Sequence, residues 1–186
     1  MSTYENNQIS QNQILQEDLA LEAKLALPEK NDFPLDPNII AYKLPLLANT
    51  FLETNRKHPA ASMGTSRSVK ASIVVGDGIK LPEKSNVVMP PWTLHRNEQF
   101  YPDPEVFDPY RFSSKPEEQY AFQAFSGGPR NCIGARLARA ETLSLFAPLL
   151  RKYEIRCHRK KEPDDHFSLT RRPKKPVMFT FTPRPE

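Results

Sequence analysis

Residues 125–134 read FSGGPRNCIG, and the helical run IGARLARAETLSLFAPLLRKY starts inside that stretch at Ile133. Cys132 therefore sits in a loop with three glycines, a proline and an arginine, immediately ahead of a helix. A thiolate in that place receives backbone N–H donors, the positive end of the helix dipole and the nearby charge of Arg130. The glycines allow positive φ and close approach of the backbone to a flat or bulky group. Such a loop holds negative sulfur, as a metal ligand or a nucleophile requires. The one other cysteine is Cys157, so a disulfide framework is not the obvious reading.

The length fits one ordinary domain, or a large piece of a bigger one. The chain has 186 residues, with 19 prolines against 6 glycines and 38% hydrophobic residues. So many prolines mean extended and turning segments rather than a smooth helical bundle. No run of 18 apolar residues occurs, which argues against a transmembrane helix. The start, MSTYENNQISQNQ, lacks the basic and apolar regions of a signal peptide. A soluble chain in a reducing compartment is the expectation. Charge is uneven: residues 130–186 hold 14 Lys and Arg against 6 Asp and Glu, a net of +8, whereas residues 1–129 carry a net of −4. A basic C-terminal half suits nucleic acid, an anionic membrane, an acidic partner protein or plain solvent. No interleaved aromatic and basic pattern supports nucleic acid.

Along the chain, residues 1–13 read as a polar tail and Gln13–Leu27 as a helix carrying Ile14, Leu15, Leu19, Leu21, Leu25 and Leu27. A second helical stretch, Ile39–Arg56 with Asn38 as its cap, is broken by Pro45. SVKASIVVG and NVVM, with GDG at 76–78 between them, predict a small sheet with a hairpin. Residues 90–123 form an aromatic, proline-rich meander. In the helix after Cys132, Leu137, Ala138, Leu145 and Leu149 are expected inside, with a kink near Ser144 caused by Pro148. YEIRC and VMFTFTP close the chain as strands, with Cys157 as a small buried hydrophobe.

Zinc fits Cys132 poorly, because no second cysteine or histidine stands at ligand spacing. A catalytic thiol wants a histidine base, and none of the four histidines is paired with it by an obvious motif. A single thiolate on heme iron needs no second protein ligand, since the porphyrin supplies four nitrogens.

At this point the sequence resembles a family. Phe125, Gly128, Arg130, Cys132 and Gly134 match the heme-binding signature of the cytochromes P450, followed by Ala138 and Glu141 on the next helix. Glu53-Thr-Asn-Arg56 resembles the family's Glu-x-x-Arg, and FDPYRF resembles the segment that supplies its third member, here Arg111. The resemblance implies a buried structural triad of Glu53, Arg56 and Arg111. It places Arg67, at the end of HPAASMGTSR, on a heme propionate, and Ala60–Thr65 on the substrate side. The turn around Leu169 resembles the last substrate-contacting loop, and Trp92 with residues 94–96 is read as packing.

The resemblance implies a mainly α fold with small β-sheets (α+β), the C-terminal part of the cytochrome P450 fold. It divides the chain into a tail and helix at 1–38 and a heme-binding portion at 39–186, with 8–38 read as a remnant of the preceding helix. Cys132 becomes the axial ligand of heme b (iron protoporphyrin IX). The implied activity is that of a heme-thiolate monooxygenase inserting one oxygen atom of O2 into a small organic substrate. An electron-donor reductase would dock on the basic face of Arg136 and Arg139. The family's oxygen-side stretch, Ala-Gly-x-Asp/Glu-Thr-Thr, and its eukaryotic membrane anchor have no counterpart here, so no catalytic residue is assigned in this chain. The alternative is a truncated or split-gene relative without activity of its own. The location of this chain itself stays open; the resemblance implies an intracellular one, at the endoplasmic reticulum membrane, if the full-length form is a eukaryotic microsomal member.

Overall fold

The computed structural model describes residues 12–28, 35–114, 120–158, 165–167 and 170–185. Helix α1 (Gln13–Ala26) starts where the Asn12 side chain accepts from the Leu15 amide at 3.0 Å. It buries Leu15, Leu19, Ala23 and Ala26, a stripe at helical spacing, and leaves Ile14, Leu21 and Leu25 exposed. The sequence offers apolar residues on two sides of this helix. The side with alanines wins because small residues let α1 lie close along helix α6 (Ala135–Lys152).

Two helices come next, α2 (Pro37–Tyr42) and α3 (Pro45–Lys57). Each has proline at its first position, where the missing N–H costs nothing. The cap of α2 is Asp36 rather than Asn38: its carboxylate accepts from the Asn38 amide at 2.7 Å. The start of α3 is capped from outside. Glu22 of α1 accepts from the Leu46 amide at 2.6 Å and the Leu47 amide at 3.0 Å.

Helix α6 corrects the sequence reading of its buried side. Leu137 and Leu145 are 61% and 42% exposed, and the buried positions are Leu143, Phe146, Ala147, Pro148 and Leu150. Residues 143, 146, 147 and 150 form the stripe that meets α1 and α3, and only one side of α6 can do so. The helix is continuous across Pro148. Proline removes one hydrogen bond, and the buried residues on either side hold both halves in one element.

Among the described residues the strands form four antiparallel pairs. β1 (Thr65–Ser68) pairs with β4 (Asn86–Met89), and the hairpin β2 (Ile73–Val75) and β3 (Ile79–Leu81) lies between them in sequence, turning at Gly76–Gly78. Gly64, just before β1, has φ +68, and a Cβ there would stand 1.9 Å from the Met89 carbonyl oxygen. β5 (Tyr153–Cys157) follows α6 without a loop and pairs with β8 (Phe179–Pro183), Ile155 opposite Phe181. β6 (Asp165–Phe167) pairs with β7 (Arg171–Pro173). Cys157 is half-buried at the end of β5.

The core joins α1, α3, α6 and Ile155. The Gln16 side chain, buried in this core, donates to the Ile155 carbonyl at 3.1 Å and accepts from the Ile155 amide at 2.5 Å, so a helix side chain completes the edge of β5. The result is mixed α and β, with helices carrying the core and small sheets at its margin. No helix among the described residues is long and apolar enough to cross a membrane.

Candidate functional site

The cysteine loop is closed by its own backbone. The Cys132 amide donates to the Phe125 carbonyl at 2.8 Å, and the Phe125 ring stacks on Phe51 of α3 with centroids 5.9 Å apart. One end of the loop is thus tied to the core. At the other end Gly134 is the N-cap of α6, and the Cys132 carbonyl accepts from the Ala135 amide at 3.3 Å. Between them the chain makes a single 3-10 turn at Gly128–Arg130. Gly128 has φ +71, a conformation that favours glycine, and at Gly127 a Cβ would come within 2.9 Å of the Gln123 side-chain Nε2.

These constraints push the thiol outward. Cys132 is exposed at the start of α6, flanked by exposed Arg130 and by Ile133, which is wholly exposed. The Gly134 Cα faces the sulfur, and a Cβ there would stand 3.7 Å from Sγ. Among the described residues no group of three His, Cys, Asp or Glu could hold a metal ion. A metal carried by a macrocycle and needing one axial donor does fit: the loop offers one sulfur, an apolar neighbour and the positive end of a helix.

Behind the loop lies a buried charged group. Glu53 and Arg56, both on α3, are 0% exposed. Arg56 Nε donates to Glu53 Oε2 and Nη2 to Oε1, each at 2.8 Å. Arg111, at the start of α5 (Arg111–Ser114), donates from Nε to Glu53 Oε1 at 3.3 Å. The Asp108 amide adds a bond to the same oxygen at 3.0 Å. Remaining N–H groups go to meander carbonyls: Arg56 to His95 at 2.9 Å and Val106 at 3.3 Å, Arg111 to Pro102 at 2.7 Å. The i,i+3 spacing puts Glu53 and Arg56 on one face, and Arg111 arrives from 55 residues beyond Arg56 by way of the meander.

Other sequence-marked residues fall elsewhere. Arg67 is exposed on β1 opposite Val87, and its side chain makes no ion pair or hydrogen bond among the described residues. Arg136 and Arg139 are exposed on the first turns of α6. In 60–65, Ala60, Ala61 and Met63 are exposed and Ser62 is buried, donating to the Pro59 carbonyl at 2.8 Å. Leu169 lies outside the described residues. Trp92, on α4 (Pro91–Leu94), has the Arg96 guanidinium 3.4 Å and that of Arg171 4.1 Å from its ring centre. A cleft of about 700 Å³ opens beside Met89, Trp92, Leu94 and Arg96, and it includes no residue of the cysteine loop.

His95, read from the sequence with residues 94–96 as packing, is fully buried and is also bonded at both ring nitrogens. Burial, together with the like charges of Arg56 and Arg96, pushes its pKa down to about 4. It is neutral at pH 7.

The family model for cytochrome P450 matches residues 9–181. The chain belongs to the cytochrome P450 family. Cytochrome P450 3A31 of Mesocricetus auratus is 32% identical over 178 residues, covering 91% of this chain and 34% of the relative. Cytochrome P450 4V2 of Mus musculus is 36% identical over 123 residues, 64% of this chain and 23% of the relative. Cytochrome P450 3A40 of Oryzias latipes is 33% identical over 139 residues, 71% and 27%. The chain thus spans a quarter to a third of the length of the curated P450s it matches. The mixed helix and small-sheet architecture accords with that family.

Proposed function

We propose that this chain is the thiolate-side portion of a heme-thiolate monooxygenase, and that Cys132 is the axial donor to the iron of heme b. The observation that carries the reading is the exposed Cys132 thiol at the head of α6, in a loop whose ends are tied to the core through Phe125 and Gly134. When bound, the heme would supply the oxygen and redox chemistry, the thiolate favouring O–O cleavage.

The protein's own residues have simpler tasks. Phe125 holds one side of the loop against α3. Gly128 supplies the turn, and Gly134 caps the helix that follows the thiol. Arg130 and Arg67, both exposed cations, suit the propionates. Glu53, Arg56 and Arg111 join α3 to the meander that delivers the loop. Residues 39–186 make the heme-binding portion, and 1–38 a tail with one packed helix. The exposed Arg136 and Arg139 suit an acidic electron-donor reductase, and the substrate of the whole enzyme is a small organic molecule.

The test is titration of the purified chain with hemin, read by the Soret band of the reduced CO complex. Cys132→Ser should lose the thiolate-type shift, because a hydroxyl is a poor soft-metal donor. Cys157→Ser should keep it. The reverse pattern would overturn the assignment.

A further inference from the structure

We infer that His95 is a positioning residue for the Cys132 loop, joining the end of the Glu53 helix to the backbone that enters the loop through one neutral tautomer. Its Nε2 lies 2.8 Å from the Gln123 amide nitrogen and its Nδ1 2.9 Å from the Arg56 carbonyl oxygen. A backbone N–H only donates and a carbonyl only accepts. The two partners therefore leave one arrangement: Nε2 bears the lone pair and Nδ1 the proton. An imidazolium would set N–H against N–H at Gln123.

The neighbours support the same state. Arg56 from α3 and Arg96 from the residue beside it are cations, and Glu53 is engaged by Arg56 and Arg111. Phe122 stacks on the imidazole at 5.4 Å and Tyr101 meets it edge-on at 5.9 Å. Arg56 Nη1 returns a bond to the His95 carbonyl at 2.9 Å, so the two residues hold each other. Beyond His95 the path is short. The Gln123 carbonyl accepts from the Ser126 amide at 3.1 Å, and Phe125, two residues after Gln123, accepts from the Cys132 amide. His95 acts on the loop through Gln123. This gives the loop its purpose only if Cys132 is the heme ligand proposed above, but the contact network can be tested without heme.

The experiment is hydrogen exchange of the 186-residue chain, read on peptides spanning 120–132 and 45–57. His95→Phe keeps a ring against Phe122 and removes both polar bonds. It should raise exchange at Gln123 and through the loop roughly tenfold, the effect expected for one net hydrogen bond lost. His95→Gln keeps one donor and one acceptor and should restore most of the protection. Equal loop protection in wild type and His95→Phe overturns the inference, as does His95→Gln behaving like His95→Phe. If His95→Phe does not fold, nitrogen-15 shifts of the wild-type imidazole decide: a neutral Nδ1–H ring at pH 7 supports the inference, and Nε2–H or imidazolium overturns it. Cys132→Ser should leave the exchange pattern in place, so a failure of heme ligation and a failure of this inference are read separately.

Discussion

Glu53 and Arg56 meet in a two-point ion pair, both bonds 2.8 Å, with neither side chain reaching solvent. One carboxylate serves two arginines and the Asp108 amide. A buried pair of this kind adds little over a well-packed apolar pair, but breaking it strands charge. Glu53→Ala should therefore lower stability by about 3–5 kcal/mol. Denaturant unfolding of the chain checks this. A loss below about 1 kcal/mol would show that the pair behaves as an exposed one.

His95 makes stability depend on pH. Its folded pKa of about 4 lies below the ordinary 6.5, so the unfolded chain binds the proton first. The contribution is present above pH 6.5 and is lost as pH falls toward 4. At about 1.4 kcal/mol per unit the loss reaches roughly 3 kcal/mol. His95→Gln should flatten that part of the profile. Unfolding midpoints at pH 7 and pH 4.5, compared between the two proteins, give the answer.

Glu22 of α1 caps α3 across space, and burial raises its carboxyl pKa despite the bonds from Leu46 and Leu47. Glu22→Ala leaves two amides without that acceptor and should cost about 1–2 kcal/mol. Glu22→Gln keeps an acceptor and avoids burying charge, so its cost should be smaller. Thermal unfolding of both variants orders them.

Two positive-φ glycines differ in their surroundings. Gly64→Ala would drive a methyl into the Met89 carbonyl and Pro91, whereas at Gly76, φ +51, nothing lies within 4 Å. Gly76→Ala should cost only the backbone strain, about 1–2 kcal/mol. Gly64→Ala should cost more and unpair β1 from β4. Circular dichroism melts of the two variants separate them.

Ile14, Leu21 and Leu25 leave an apolar stripe on the outer side of α1, and Ile133 and Leu137 add exposed apolar surface at the head of α6. The chain alone should self-associate as concentration rises. Light scattering checks this. Leu21→Glu with Leu25→Glu should reduce the association without lowering the melting temperature, since both positions face solvent.

Local chemistry in the sequence determined much of this protein. A Gly-rich loop ending in a helix, the i,i+3 pair Glu53 and Arg56, proline at helix starts and the GDG hairpin turn are short-range facts, and each follows from backbone geometry or from helical period. Tertiary structure decided the rest, because it turned on which of two equivalent local choices found a partner. Apolar residues lined two sides of α1 and α6, and only the side facing the other helix could be buried, which left Leu21, Leu25, Leu137 and Leu145 outside. Arg111 reached Glu53 through a meander without periodicity. Gln16 and Glu22 look like ordinary surface residues until β5 and α3 present unpaired backbone groups to them. His95 became neutral, buried and bonded at both nitrogens because Arg56 offered a carbonyl and Gln123 an amide from 39 residues before and 28 after it. Donors and acceptors so far apart in the chain meet only when the core has already brought their elements together.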